Sequence, residues 1–249
     1  MGDIKTDIFV CLDCETTGLD AVQDRVVEVA VAKFTASEVL AEFESMINPQ
    51  CPIPETSIAF HHITEAMIAD KPTLKAVLPQ ILEIIGDHVI IGHGIQFDIQ
   101  LLINAAERAG IPCTLKKNRF LDTLRMARLY GESATNSLEQ LRRHFNIEEE
   151  GAHRAMSDVI VNMDVFKNLA KDYKTTEQLF AVLAKPILFK NMPLGKHKGR
   201  PLKEVPLPYL LWAVRQDYDQ DLSYSLRYEI NRRKKGNLFS QAGNPFSGL

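Results

Sequence analysis

The chain has 249 residues, of which 45% are hydrophobic and 24% are charged, an ordinary balance for a globular protein. No apolar run approaches the ~18 residues of a membrane-spanning helix. Four irregularly spaced cysteines do not predict a disulfide framework. We therefore expect neither a membrane-spanning helix nor a disulfide-stapled secreted protein. The N-terminal segment MGDIKTD lacks the apolar stretch of a secretory signal, and we expect a cytoplasmic protein.

The apolar patterns predict an α/β fold with a mixed sheet, because three strands come first and strands then alternate with helices. The stretch IFVCLD is apolar up to its aspartate, as in a strand buried on both faces. Ser137 is a favourable N-cap for the helix that follows it. The predicted elements are strands at 8–13, 24–34 and 39–47, a helix at 74–85, a strand at 88–92, and helices at 97–109, 121–130, 138–145 and 154–171.

The composition changes near residues 172–187, and the last part of the chain is basic. Residues 186–249 carry eleven Lys and Arg against five Asp and Glu, a net charge of +6, whereas the remainder carries −9. This basic end indicates either a polyanionic partner or a merely solvated surface. We expect a first domain at 1–175, a linker at 176–187, a small basic domain at 188–235 with helices near 207–216 and 224–234, and a flexible tail at 236–249.

The stretch CLDCETTGLD at residues 11–20 contains two competing candidate sites. Cys11 and Cys14 form a C-x-x-C, a spacing found in zinc and redox sites. Asp13 and Glu15 form a D-x-E, which suits hard cations. Because side chains alternate faces along a strand, the two acids share a face and the two thiols do not. The sequence therefore favours the acids as the site and the cysteines as small buried residues.

Two further acids follow predicted elements in a way that can complete this site. Asp98 comes at the start of a helix, directly after the buried strand at 88–92. Asp158 lies in the helix at 154–171, five residues after His153. Ligands of open α/β sheets bind outside the carboxyl ends of the strands, which is where Asp13 and Glu15 are placed. An acid at the start of a helix can also simply complement the helix dipole, so each residue alone is weak evidence.

Taken together, these segments resemble the DnaQ-like 3′→5′ exonucleases, the DEDD group with a ribonuclease H-like fold. The resemblance runs over roughly residues 5–172, and the histidine five residues before the last acid corresponds to the His-bearing (DEDDh) subgroup. Gly94 stands where the family usually has Asn, and His62 stands where it usually has Gly. The matching segments are DCETTG at 13–18, HHIT at 61–64, HGIQFD at 93–98, DTL at 122–124 and HRAMSD at 153–158.

The resemblance implies a ribonuclease H-like mixed five-stranded sheet flanked by helices, plus a small C-terminal α+β module. It also implies a two-metal site for Mg²⁺ or Mn²⁺, in which His153 takes a proton from the attacking water. The implied metal ligands, which with His153 are the catalytic residues, are Asp13, Glu15, Asp98 and Asp158. The residues implied to contact the 3′-terminal nucleotide are Thr16, Thr17, Leu19, His61 and Phe97.

The segment GKHKGRPLKEVPLPYLLWAVRQ is similar to the small domain appended to exonuclease X-type proteins. Four cations there are candidates for contacts with nucleic-acid phosphates: Lys196, Lys198, Arg200 and Lys203. Tyr209 or Trp212 can stack on a base. We expect Trp212, the single tryptophan, to form the core of this domain instead.

These features predict a metal-dependent 3′→5′ exonuclease that releases nucleoside 5′-monophosphates from DNA, single-stranded or duplex, in DNA repair or replication. A 3′→5′ exoribonuclease and the proofreading subunit of a replicative polymerase remain alternatives. Nucleic acid is the expected partner, with DNA preferred and RNA open. A homodimer and an association with a polymerase or sliding clamp are left open, and no membrane partner is expected.

Overall fold

The computed structural model describes residues 3–131, 136–148 and 154–242. The chain forms two compact units, Met1–Val182 and Leu183–Leu249. No helix of the described ranges is long and apolar enough to cross a membrane. The first unit contains β1 (Phe9–Thr16), β2 (Val26–Phe34), β3 (Val39–Met46), α1 (Glu55–His61), α2 (Glu65–Ile68), α3 (Leu74–Ile85), β4 (Val89–Gly92), α4 (Gln96–Ala109), β5 (Phe120–Asp122), α5 (Thr123–Tyr130), α6 (Leu138–His144), α7 (Ala155–Ala170) and α8 (Thr176–Leu183).

Within the described residues the strands form one five-stranded sheet in the order β3-β2-β1-β4-β5. β1 pairs antiparallel with β2 and parallel with β4, so the sheet is mixed. β2 and β3 pair antiparallel, and β4 and β5 pair parallel. The α/β prediction is confirmed, and the segment at 39–47 lies at the sheet edge because β3 has a single strand neighbour.

The central strand β1 is covered on both faces, and its side chains divide between them. Val10 and Leu12 belong to a core cluster that includes residues of α3 and α4, and Cys14 packs against it. Phe9 and Cys11 point the other way, toward α7, where the Phe9 and Phe166 rings lie 4.9 Å apart and Asn162 contacts Cys11. The apolar run at the start of β1 is thus explained by burial on both sides.

The contacts between α7 and β1 stay in step along both elements. The ring of Phe166 meets Phe9, and one helical turn earlier Asn162 Nδ2 donates a hydrogen bond to Cys11 Sγ at 3.6 Å. Four helical residues rise about 6 Å and two strand residues about 6.7 Å, so a stripe of every fourth helix residue matches every second strand residue. The next pair in this series is Asp158 with Asp13.

Several elements differ from the sequence-based prediction. Residues 121 and 122 lie in strand β5, and the helix predicted at 121–130 begins only at Thr123. Helices α1 and α2 were not predicted. The predicted linker at 176–187 begins with helix α8, which the first unit holds because Thr176 Oγ1 donates to Asp7 at 2.5 Å and Glu177 pairs with Arg119.

The second unit contains a hairpin-like segment and two helices, α9 (Leu207–Ala213) and α10 (Gln220–Ala242). Met192 N donates to Arg200 O at 2.8 Å, and Leu202 N donates to Lys190 O at 3.0 Å, which joins the two arms of the segment. Helix α10 begins four residues before the predicted start and continues into the predicted tail; residues 243–249 lie outside the described ranges. Trp212 is half exposed, so the prediction that it forms the core is wrong.

A buried ion pair fixes the start of α7 on the sheet. Glu28 of β2 is fully buried, and both its carboxylate oxygens accept hydrogen bonds from Arg154 Nε, at 3.0 and 3.1 Å. The same carboxylate accepts a hydrogen bond from the backbone N–H of Ala155 at 3.0 Å. A carboxylate at this position satisfies an orphan donor of the helix and complements its dipole.

We expect Arg154→Ala to lower the free energy of unfolding by about 3 kcal/mol, because it leaves the Glu28 carboxylate buried without its cation. Equilibrium denaturation with urea measures this loss. Lys167→Ala is the matched control, since Lys167 forms an exposed pair with Asp164 and its removal should cost less than about 1 kcal/mol. Equal losses in the two variants would contradict the anchoring role.

Candidate active site

Three acids that the sequence predicts as a site lie together at the carboxyl end of β1. Carboxylate oxygens of Asp13, Glu15 and Asp158 all lie within 4.8 Å of one another. Asp13 and Glu15 share a face of β1 because they alternate with Cys14, and Asp158 follows from the stripe of α7 that contacts that face. The fold therefore brings together residues that are separated by more than 140 positions in the sequence.

Asp98 joins this group from α4, at the end of the neighbouring strand β4. Its side chain is buried, and its negative charge helps to raise the pKa of the Cys14 thiol. Its negative charge is, after burial, the largest cause of the raised pKa of Asp13. The four predicted ligands are thus gathered at the carboxyl ends of β1 and β4, with Asp98 next to the three-carboxylate cluster.

Burial and the charges of neighbouring acids raise the pKa values of Asp13, Glu15 and Asp98. The pKa of Asp13 lies well above its usual range because of burial and then because of Asp98, Asp158 and Glu15. Burial, followed by the charges of Asp158 and Glu28, raises the pKa of Glu15 to about 7. Burial raises the pKa of Asp98 to about 7 as well. Such a cluster of like charges in a dry site fits divalent cations, because oxygen ligands suit Mg²⁺ and Mn²⁺.

The two cysteines of the C-x-x-C lie on opposite faces of β1, as predicted. Cys11 is fully buried beside Asn162, and Cys14 packs against the α3 and α4 side. Burial is the main cause that raises the pKa of each thiol. The thiols therefore stay neutral and cannot bind one metal ion together.

The end of β1 and the turn after it contain three of the predicted nucleotide contacts. Thr17 is buried, and its hydroxyl donates to Asp24 at 2.8 Å and accepts from Arg25 N at 3.0 Å. The hydroxyl of Thr16 donates to Gly18 O at 2.6 Å. Both threonine side chains thus hold the turn together. Leu19 projects from it, 92% exposed.

The other two predicted nucleotide contacts, His61 and Phe97, lie in α1 and α4. His61 ends α1 and is buried, with its Nδ1 accepting a hydrogen bond from Ile63 N at 3.0 Å. Burial lowers its pKa. Phe97 is half-buried and packs against the core cluster. Neither side chain is among the residues that line the cleft, and His153 lies outside the described residues.

A cleft of about 540 Å³ opens in front of the carboxylates, which is large enough for a nucleotide. Its lining includes Phe60, His93, Arg142 and Arg143, which were not assigned to the site from the sequence. Phe60 of α1 is 62% exposed, and His93 follows β4 with its Nδ1 3.1 Å from the Thr123 hydroxyl. Burial lowers the pKa of His93 to about 4, so this imidazole is neutral at physiological pH. Arg142 and Arg143 of α6 bring positive charge to the same cleft.

The signals for these residues were present but weak. Phe60 directly precedes the His61-His62 motif, and His93 opens the motif that ends in Asp98. The Arg142-Arg143 pair stands in a correctly predicted helix. Nothing in the sequence alone places α1 and α6 opposite the end of β1.

A family model described as an exonuclease matches residues 10–166, more than half of the chain. The chain belongs to the DnaQ-like exonuclease family. PolC-type DNA polymerase III of Bacillus subtilis is 34% identical over 170 residues, 68% of this chain. The match covers only 12% of the length of that relative. A separate family model, described as "Putative quorum-sensing-regulated virulence factor", matches residues 181–227.

Solved structures of DnaQ-like exonucleases share the fold of the first unit. Exonuclease X in complex with 5′ overhanging duplex DNA is 23% identical with a TM-score of 0.57, covering 70% of this chain and 99% of that one. E. coli exonuclease I in a complex with single-stranded DNA is 20% identical with a TM-score of 0.61, covering 71% of this chain and 42% of that one. The ribonuclease H-like sheet expected from the sequence is therefore confirmed.

Replacing one acid of the cluster should stabilise the metal-free protein. The pKa values of Glu15 and Asp98 are raised to about 7 in the folded protein, above those in the unfolded chain. The folded protein therefore loses stability as the pH rises from the unfolded-state pKa values through about 7. At pH 8 in EDTA we therefore expect Asp13→Asn to raise the Tm by roughly 2–4 °C, the shift that ~1 kcal/mol produces at this size. At pH 5, where the cluster is protonated, the rise should be smaller.

Adding a divalent cation should reverse the order of the Tm values, so that the wild type becomes more stable than Asp13→Asn. Mg²⁺ or Mn²⁺ should stabilise the wild type more than Asp13→Asn, because the variant has lost a ligand charge. Asp172→Asn, which neutralises an exposed acid of the same unit, is the control and should leave both readings unchanged. A lower Tm of Asp13→Asn in EDTA, with an undiminished metal response, would argue against a strained metal cluster.

Proposed function

We propose that this protein is a metal-dependent 3′→5′ exonuclease that hydrolyses the terminal phosphodiester bond of DNA and releases nucleoside 5′-monophosphates. The observation that carries the proposal is the cluster of Asp13, Glu15 and Asp158 within 4.8 Å, in a cleft of a chain that belongs to an exonuclease family. Asp98 stands beside the cluster, where its charge helps to raise the pKa of Asp13.

The four carboxylates fit the role of metal ligands for two divalent cations, Mg²⁺ or Mn²⁺. When bound, such ions neutralise charge on the attacking and leaving oxygens of a phosphodiester. The chain's own contribution is to hold the ligands rigidly. Asp158 is positioned by the Glu28–Arg154 pair at the start of α7, and Asp13 and Glu15 by the β1–β2 ladder.

His153 is proposed as the general base, because it stands at the family's histidine position five residues before Asp158. An imidazole near its unperturbed pKa accepts a proton from water at neutral pH without a strong thermodynamic cost. His93 is a poor rival for this role, since burial holds its pKa near 4 and Thr123 occupies its Nδ1. A neutral His93 is suited instead to hydrogen bonding with the substrate.

DNA is favoured over RNA because of what the relatives act on. The relatives named PolC are DNA polymerases, and the exonuclease X and exonuclease I structures contain DNA. The polymerase match covers 12% of that relative, and this chain has a second unit with its own basic surface. These features support a nuclease that acts by itself more than a polymerase subunit. A ribonucleotide substrate is the alternative that the first experiment must separate.

We expect the wild-type protein with Mg²⁺ or Mn²⁺ to shorten a 5′-labelled DNA oligonucleotide in single-nucleotide steps. Asp13→Ala should abolish the activity because a ligand of the metal cluster is lost. His153→Ala should lower kcat by roughly 10²–10⁴, the usual contribution of a general base, while leaving the stabilisation by metal intact. Product analysis by gel and chromatography checks each point.

The choice of substrate tests the direction of hydrolysis and the preference for deoxyribose or ribose. The same oligonucleotide is supplied with a 5′ label, with a 3′ label, and with a single ribose at its 3′ end. Release of labelled mononucleotide from the 3′ end alone supports the proposed polarity. Release from the 5′ end would overturn it, and a strong preference for the terminal ribose would point to the exoribonuclease alternative.

Phe60 and Arg143 give the cleft a wall that suits a nucleotide. An exposed aromatic ring next to the reactive carboxylates offers a stacking surface for any base, which an end-degrading enzyme requires. Arg143 has 65% of its side chain exposed although Glu139 pairs with it, so its guanidinium remains accessible to a phosphate. We therefore place Phe60 at the terminal base and Arg143 near an adjoining phosphate.

Phe60→Ala should raise KM about 5- to 100-fold with a smaller change in kcat, because stacking contributes about 1–3 kcal/mol to binding of a base. Phe60→Tyr retains the ring and should keep KM near the wild-type value. Steady-state kinetics on a short oligonucleotide separates the two parameters. A loss confined to kcat, with KM unchanged, would remove Phe60 from the binding surface.

A further inference from the structure

The second unit carries a row of aromatic side chains that runs from its core to its surface, because Tyr209 packs against the core and Trp212 is exposed. The rings of His197 and Tyr209 meet at 4.5 Å, and those of Tyr209 and Trp212 at 5.2 Å. Trp212 is 50% exposed, and its neighbour Leu211 is 40% exposed. The core of the unit is built from other residues, namely Met192, Leu202, Val205, Leu210, Ala213, Leu222, Leu226 and Ile230. Packing therefore gives no reason for a tryptophan at this surface.

A cationic loop contacts this aromatic row. The loop consists of residues 195–200. Its two glycines, Gly195 and Gly199, have φ angles of +72° and +81°, which favour glycine. A Cβ at Gly195 would lie 2.6 Å from the Tyr209 hydroxyl oxygen, so the loop backbone touches the ring row directly. His197 belongs to both features, because it lies in the loop and its ring packs on Tyr209.

The cations of this loop are exposed and available. Lys196, Lys198 and Arg200 are exposed and form no ion pair with any residue that the structure describes. Lys203, the fourth cation predicted to contact phosphate, lines a different pocket of about 410 Å³ with Lys190 and Tyr228. The charge next to Trp212 is therefore supplied by the loop at 195–200.

We propose that the aromatic row and this loop form a binding surface for single-stranded nucleic acid. A base stacks on Trp212, and Lys196, Lys198 and Arg200 contact the phosphates on either side. An exposed ring combined with exposed cations matches the two parts of a single strand, whereas a duplex keeps its base faces stacked inside. The proposal rests on the proposed function only in taking nucleic acid as the partner, and it requires neither metal nor catalysis.

The only tryptophan of the chain makes this surface directly observable. The test uses the full chain with Asp13→Ala in EDTA, so that no strand is degraded. A closed circular oligo-dT is the probe, because it has no 3′ end to enter the carboxylate cleft. We expect saturable quenching of Trp212 fluorescence, and at least tenfold weaker binding of a blunt duplex of the same length.

Variants then separate stacking from charge, with binding measured by the anisotropy of a labelled circle. Trp212→Ala should weaken binding roughly 5- to 100-fold, whereas Trp212→Phe should keep most of it. Changing Lys196, Lys198 and Arg200 together to Gln should flatten the salt dependence by about two in log–log slope, the value for three phosphates on a single strand. Leu211→Ala, which trims an exposed apolar neighbour, is the matched control and should leave binding unchanged.

Several results would overturn the proposal. They are an unquenched Trp212 at saturating probe, equal affinity for duplex, or an unaltered affinity in folded Trp212→Ala, as judged by circular dichroism. Fluorescence that changes with protein concentration alone, accompanied by dimers in sedimentation, would assign the surface to a second copy of the chain. Because the probe has no end and the protein is inactive, these outcomes do not depend on whether the nuclease proposal succeeds.

Discussion

The repulsion among buried carboxylates at the end of β1 is the constraint on which the rest of the first unit depends. Burial and the charges of their neighbours raise the pKa values of Asp13, Glu15 and Asp98, so none of these three stabilises the metal-free fold. The free energy that holds them together must come from elsewhere. It comes from the two apolar layers on the sheet and from the Glu28–Arg154 pair that fixes the start of α7.

Glu28 makes the geometry of that pair informative. Glu28 lies directly opposite Glu15 in the β1–β2 ladder, so it adds a further buried carboxylate beside the cluster. Arg154 neutralises it, and the positive charge also lowers the pKa of Glu15. The protein thus balances one buried acid with its own cation and leaves the neighbouring acids for cations from solution. Without Arg154, two sets of carboxylates would repel each other across the same ladder.

The sequence predicted much of the fold and the centre of the site, because both depend on local periodicity. Strand alternation separates Cys11 from Cys14 and joins Asp13 to Glu15, and no tertiary information is needed for that step. The faces of short helices are harder to assign. Helix α9 has seven residues, too few for a periodic pattern to show that Trp212 points outward. Phe60, Arg142 and Arg143 enter the cleft through long-range packing, which no local pattern encodes.

The neutral thiols explain why a C-x-x-C can stand inside a site for hard cations. A thiolate next to Asp13 and Glu15 would compete for softer metals such as zinc. Burial and the surrounding negative charges oppose ionisation of both cysteines, so neither offers the thiolate that such a metal requires. Cys14 instead remains a neutral side chain that packs against the core cluster. The same electrostatic environment that strains the carboxylates therefore also selects the class of metal that can relieve the strain.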